Sequence, residues 1–189
     1  MKSLLRLDPY LISGFTNGFF MGLLNPFFIS LILSQLSVRV LSAGTFLLSG
    51  LPFLLGVLFE NKKLFDKLFK FLPLIMILEI LGFIALIFLY SISIPGYYIA
   101  SMALCGIFGT GITYLMQKVR DIRYQNDRAA FERRHMMSDG LGYLLGSLLV
   151  FLGLVNITNI VVLLILAAIH GLIVDILCFI ARHTSGQIL

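Results

Sequence analysis

Six long apolar stretches separated by polar links make up most of this chain. They run from about Leu11 to Leu33, Val40 to Phe59, Leu72 to Tyr90, Gly96 to Met116, Met137 to Leu154 and Ile157 to Ala181. Each is near the length that crosses ~30 Å of hydrocarbon at ~1.5 Å per helical residue. None shows the period-two alternation over roughly 10 residues that marks a strand of a membrane barrel. The pattern predicts an all-α integral membrane protein, a bundle of six transmembrane helices forming one domain over residues 1–189.

Composition removes the alternatives. Hydrophobic residues make up 59% of the chain and charged residues 12%, and the mean hydropathy is +1.02. A soluble domain carries about 25% charge and has no way to hide so much apolar surface. Disorder needs the opposite balance. The 17 glycines follow no triplet period, and two cysteines make no disulfide framework. Both cysteines, Cys105 and Cys178, fall inside predicted spans, where a small apolar role is the default.

Charge orients the spans. Of the 14 basic residues, all but Arg39 lie before the first span, between the second and third, between the fourth and fifth, or after the sixth. Basic residues flanking spans stay cytoplasmic, which predicts both termini in the cytoplasm of a multi-pass protein of the cell (plasma or bacterial inner) membrane. The net charge of +5 then answers anionic lipid, and no soluble basic face exists for nucleic acid. The start of the chain leads into an apolar stretch too long for a signal-peptide core, so no cleavage is expected. Asn156-Ile-Thr158 matches a glycosylation acceptor, a pattern that recurs often by chance. Between the second and third spans, Lys62-Lys-Leu-Phe-Asp-Lys-Leu-Phe-Lys70 alternates Lys with Leu and Phe, which predicts a short amphipathic helix at headgroup level.

The order of these features is familiar. The second span ends in Gly56-Val-Leu-Phe-Glu60-Asn61-Lys62-Lys63, the fourth leads into a basic link with Arg128-Ala-Ala-Phe-Glu-Arg133-Arg134, and the fifth is glycine-rich, Gly140-Leu-Gly142-Tyr-Leu-Leu-Gly146. Over nearly its whole length the chain resembles the amino-terminal half of the major facilitator superfamily of secondary transporters. Glu60 stands where that family has Asp, and the rest of its Gly-x-x-x-Asp-Arg signature and the fifth-helix Pro are missing. The resemblance implies a half-size unit built of inverted three-helix repeats, with a second copy or another membrane protein completing the path.

Several residues stand out within the spans. Gly106 and Gly109 in the fourth span, and Gly142 and Gly146 in the fifth, let helix backbones approach closely. Asn25-Pro26 interrupts the first span, where Asn25 either relieves the proline's lost hydrogen bond or joins Asn17 in lining a cavity. The resemblance favours the cavity, since the family's first and fourth helices line it. Thr110, Tyr114 and Gln117 fall on one stripe of the fourth span and complete the candidate lining. Glu79, His170 and Asp175 are ionisable groups deep inside spans, where such groups are costly and rarely idle. They are candidates for proton coupling, two carboxyls in low dielectric sharing a proton, or for contact with a partner. Because the family's third and sixth helices are peripheral, the resemblance leans toward partner contact. Ser138 and Asp139 are expected to open and cap the fifth helix.

No enzyme signature is present: the chain lacks His-Glu-x-x-His, Gly-x-Ser-x-Gly and a Walker loop. Metal-ligand spacing is lacking too, and no cofactor is expected. The leading expectation is a half-size secondary transporter of a small solute, working as a homodimer and driven by an ion gradient. The alternative is a non-catalytic membrane subunit or substrate-binding component that pairs with another membrane protein.

Overall fold

A computed structural model describes residues 8–91, 93–109, 111–112 and 128–184. Among them all regular structure is helical, with no strand. Helix α1 spans Pro9–Leu31, α2 Val38–Phe59, α3 Lys62–Lys70, α4 Leu72–Tyr90, α5 Ile94–Leu104, α6 Arg128–Phe151 and α7 Ile160–Thr184. A 3-10 turn at Leu33–Gln35 follows α1, and α5 continues into a π-helical turn at Cys105–Gly109. Four helical segments are long and apolar enough to cross a membrane: Pro9–Gln35, Val38–Leu58, Leu72–Leu89 and Ile160–Leu177; Ile94–Gly109 is a shorter apolar helix.

The helices begin where short polar side chains take up free backbone N–H groups. Asp8 Oδ1 accepts from Tyr10 N at 3.0 Å, with Pro9 at the first helical position of α1. Ser37 caps α2, Asn61 caps α3 through Lys63 N and Leu64 N, Ser93 caps α5, and Asn159 Oδ1 accepts from Val161 N at 2.8 Å. Helix α6 stops at Gly153, whose φ of 68° is the left-handed conformation that closes a helix. Leu154 N donates to Leu149 O and Gly153 N to Val150 O, which occupies two of the last carbonyls. The amphipathic link is helical as expected, with Lys63, Lys67 and Lys70 exposed and Leu64 and Leu68 half-buried.

The fifth span departs from expectation at its start. The helix begins at Arg128, nine residues before the expected Met137. Ser138 and Asp139 therefore lie in its interior and cap nothing. The segment Ala129-Ala-Phe-Glu-Arg-Arg134 is polar enough to read as a link, yet its residues are good helix formers.

Two compact units make up the chain, Met1–Phe27 with Val119–Leu189 and Phe28–Lys118. In the second unit α2 and α5 run parallel: Gly44 faces Tyr98 and Met102, and further along Gly106 faces Leu47 O and Leu51. Helix α4 runs antiparallel to α5, with Gly82 against Leu104 and Glu79 near Gly109. Leu72, Met76, Glu79 and Leu86 form the buried stripe of α4, and Tyr97, Tyr98 and Ser101 that of α5. Ser101 Oγ returns its proton to Tyr98 O at 2.8 Å. In the first unit α1 and α6 also run parallel, Tyr10 meeting Phe131 edge-on at 6.0 Å and Gly22 meeting Tyr143 farther along.

Much apolar surface points outward. Phe46, Phe53 and Phe88 are each more than 70% exposed. In water such a surface would drive aggregation, whereas hydrocarbon solvates it.

Candidate functional site

The most specific construction in the molecule is the seam between α1 and α6. Gly14, Gly18 and Gly22 recur every fourth residue on α1, and Gly142 and Gly146 do so on α6. A Cβ on Gly18 would collide with Asp139 O and one on Gly22 with Tyr143 O. Reciprocally, Gly142 sits on Phe15 O and Gly146 on Phe19 O. The two backbones touch without side chains between them, the small-residue solution to helix packing in lipid. Gly14, at the near end, is covered by the imidazole of His135, whose Nε2 would lie 3.0 Å from an added Cβ.

Polar rungs cross the same seam. Asn17 Nδ2 donates to Asp139 Oδ1 at 3.0 Å, and Ser138 Oγ donates to Leu11 O at 2.7 Å. Ser147 Oγ donates to Gly22 O at 3.4 Å. That last contact falls on the carbonyl that Pro26 leaves free. Pro26 has no N–H, so the carbonyl four residues earlier, Gly22 O, loses its helical partner. The hydroxyl of Ser147 takes its place, and α1 stays helical through Pro26.

Helix α7 adds the ionisable groups. His170 stacks on Phe20 of α1, ring centroids 5.2 Å apart. Asp175 is 7% exposed. His170 Nε2 and Asp175 Oδ2 are both buried without a hydrogen-bond partner among the described residues. Buried polar atoms are satisfied in the great majority of cases, so two orphans on one apolar helix single it out. The two residues lie about 7.5 Å apart along the helix axis and point about 140° apart around it, so they do not form a direct pair.

The sequence-derived candidates divide among these places. Asn17 is bonded to Asp139, and Asn25 is half-buried beside the exposed Pro26. Thr110, Tyr114 and Gln117 lie outside the described residues. Glu79 is buried in the second compact unit, 4.0 Å from where Gly109 would carry a Cβ, whereas His170 and Asp175 belong to the first. Gly142 and Gly146 are in the seam, and Gly106 packs on α2. Sequence reasoning missed Gly14, Gly18 and Gly22, although their spacing of four was visible. It also missed Ser147 and gave Asp139 a different task.

An open groove of about 670 Å³ runs along α6 from Asp139 past Tyr143, Leu144, Ser147 and Leu148 to Phe151. Asp139 is the only ionisable carboxylate among its described lining residues. No protein-family model, characterised protein or solved structure matches the chain.

Proposed function

We propose that the protein is a half-size secondary transporter, six crossings with both termini on the cytoplasmic side, that moves a small solute as a homodimer and draws on an ion gradient. The observation that carries the coupling is the pair of orphaned polar atoms on α7, His170 Nε2 and Asp175 Oδ2. Ionisable groups inside membrane helices persist where a pathway for ions or protons uses them. The burial of Asp175 and of Glu79 argues against the alternative of a passive subunit that uses these acids to grip a partner, since a contact residue would be exposed.

Helix directions support six crossings. The first and fifth spans run parallel, as do the second and fourth, and the third opposes the fourth. Strict alternation across the membrane gives the same directions. They also fit the resemblance to the major facilitator superfamily. An inverted repeat relating spans one to three with four to six turns the 1·5 pair into the 4·2 pair, and both are glycine-bearing parallel pairs here.

Uptake into liposomes holding only this protein, with and without a pH gradient, tests the reading. A panel of sugars, amino acids and organic cations should reveal gradient-driven accumulation of at least one solute. Asp175→Asn should flatten the pH dependence of that uptake, while binding of solute in the absence of a gradient is retained. Absence of flux for every class, or an unchanged pH profile, counts against the proposal.

A further inference from the structure

We infer that the groove along α6 binds an amphipathic organic cation, its charged head on Asp139 and its apolar body laid toward Phe151. This names the substrate class for the transport proposed above and rests on that reading only for movement across the membrane; binding itself stands apart.

The geometry sets the class of ligand. From Asp139 to Phe151 the helix rises about 18 Å at 1.5 Å per residue, and the open groove along that face of α6 has a volume of about 670 Å³. Beyond the carboxylate its walls are chiefly apolar: Leu144, Leu148 and Phe151 are all exposed, with Tyr143 between them. The hydroxyl of Ser147 is turned away to Gly22 O. At the polar end, Asn17 donates to Oδ1 of Asp139, and this half-buried acid lines the groove. Among the described residues no cation reaches that carboxylate; the ion pair there joins Arg128 and Glu132 at 3.2 Å. Arg133 and Arg134 project about 120–140° away around the helix. His135, one turn earlier, is laid on Gly14.

A carboxylate beside hydrocarbon is stabilised by an opposite charge and penalised by a like or absent one. An anion is therefore disfavoured, and a neutral lipid chain offers the carboxyl no partner. A bare metal ion needs several oxygen ligands, which apolar walls do not offer. A second copy of α6 seated in the groove about a two-fold axis along the membrane normal would bring Asp139 toward its own copy, two carboxylates in low dielectric. The occupant that meets both ends of the groove is a cation with an apolar body.

The test is equilibrium dialysis of tetraphenylphosphonium against the full-length protein in phosphatidylcholine nanodiscs. Saturable binding is expected, with tetraphenylborate, its anionic isostere, bound at least tenfold more weakly. Asp139→Asn keeps the acceptor for Asn17 and should weaken the cation at least tenfold at unchanged helix content. Leu148→Trp, an exposed position off the glycine seam, leaves the carboxylate intact and should weaken it at least fivefold; it decides the matter if Asp139→Asn does not fold. Equal affinity for the borate, or wild-type affinity in either folded variant, overturns the assignment. Leu148→Cys copies that form a disulfide at a rate indifferent to the cation would place a second copy in the groove and overturn it as well; slowing by the cation supports it. Binding without flux would retain the site and remove the transport reading, and flux of another solute without binding would do the reverse.

Discussion

Two parallel helix pairs, α1 with α6 and α2 with α5, solve the same packing problem in different ways. The first pair interlocks glycine with carbonyl on both sides, four times along the seam, and ties the contact with three side-chain hydrogen bonds. In the second pair each glycine receives mostly side chain: Gly44 takes Tyr98 and Met102, and Gly106 takes Leu51 beside one carbonyl, Leu47 O. Backbone cannot yield to an intruding atom, whereas the Met102 side chain and the end of Leu51 can change rotamer and the Tyr98 ring can tilt. The α1–α6 seam is thus the rigid element of its unit, and α2–α5 the adaptable one. The π-helical turn at Cys105–Gly109, a feature often found where helices must adjust, sits on the adaptable side.

The sharpest way to break this contrast is to put a side chain into each pair. Gly18→Ala or Gly142→Ala should cost about 3 kcal/mol, since a Cβ placed against backbone cannot relax. Gly44→Ala should cost about 1 kcal/mol, because ring and thioether can move. Unfolding by dodecyl sulfate in mixed micelles, followed by circular dichroism, measures both; equal losses would erase the distinction.

A smaller effect is expected from the rungs. Asn17→Ala and Asp139→Ala should each lose about 1 kcal/mol, and the double variant should show coupling of about 0.6 kcal/mol, the average for hydrogen bonds between membrane helices, and at most about 1.7 kcal/mol. Additive losses would mean the rung contributes nothing to the seam.

Finer still is the exchange at Pro26. Ser147→Ala should cost about 0.6 kcal/mol in the native background. In a Pro26→Ala background, where residue 26 regains an N–H for Gly22 O, the same change should cost close to nothing. A loss independent of Pro26 would assign Ser147 another role. Least of all, Gly171→Ala on α7, with no atom within 4 Å of an added Cβ, should be neutral or stabilise by up to about 0.5–1 kcal/mol.

The helices were readable where hydropathy alone decides. The starts of α2 and α4 fall within two residues of expectation, and α3 shows its Lys–Leu alternation directly. Helix α6 extends nine residues ahead of the predicted span, and those first two turns are polar. What makes them part of the helix is contact, Phe131 with Tyr10 and His135 with Gly14. The glycine stripe of α1 was present as a spacing of four, but spacing does not say what the stripe faces. Asp139 shows the same limit. An acid after a serine at the edge of an apolar run reads as a helix cap, and its bond to Asn17 spans 122 residues of sequence.

The amino-acid sequence by itself determined that this chain is helical and suited to hydrocarbon, because burying a backbone in lipid leaves the helix as the way to satisfy every N–H and C=O within one segment. Which helix lies against which was decided only in three dimensions. Inside a membrane apolar faces are interchangeable, and selection among them falls to backbone fit and a few polar contacts. Gly18 on Asp139 O, Asn17 on Asp139 Oδ1 and Ser147 on the carbonyl that Pro26 leaves free are properties of a pair, and neither helix carries them alone.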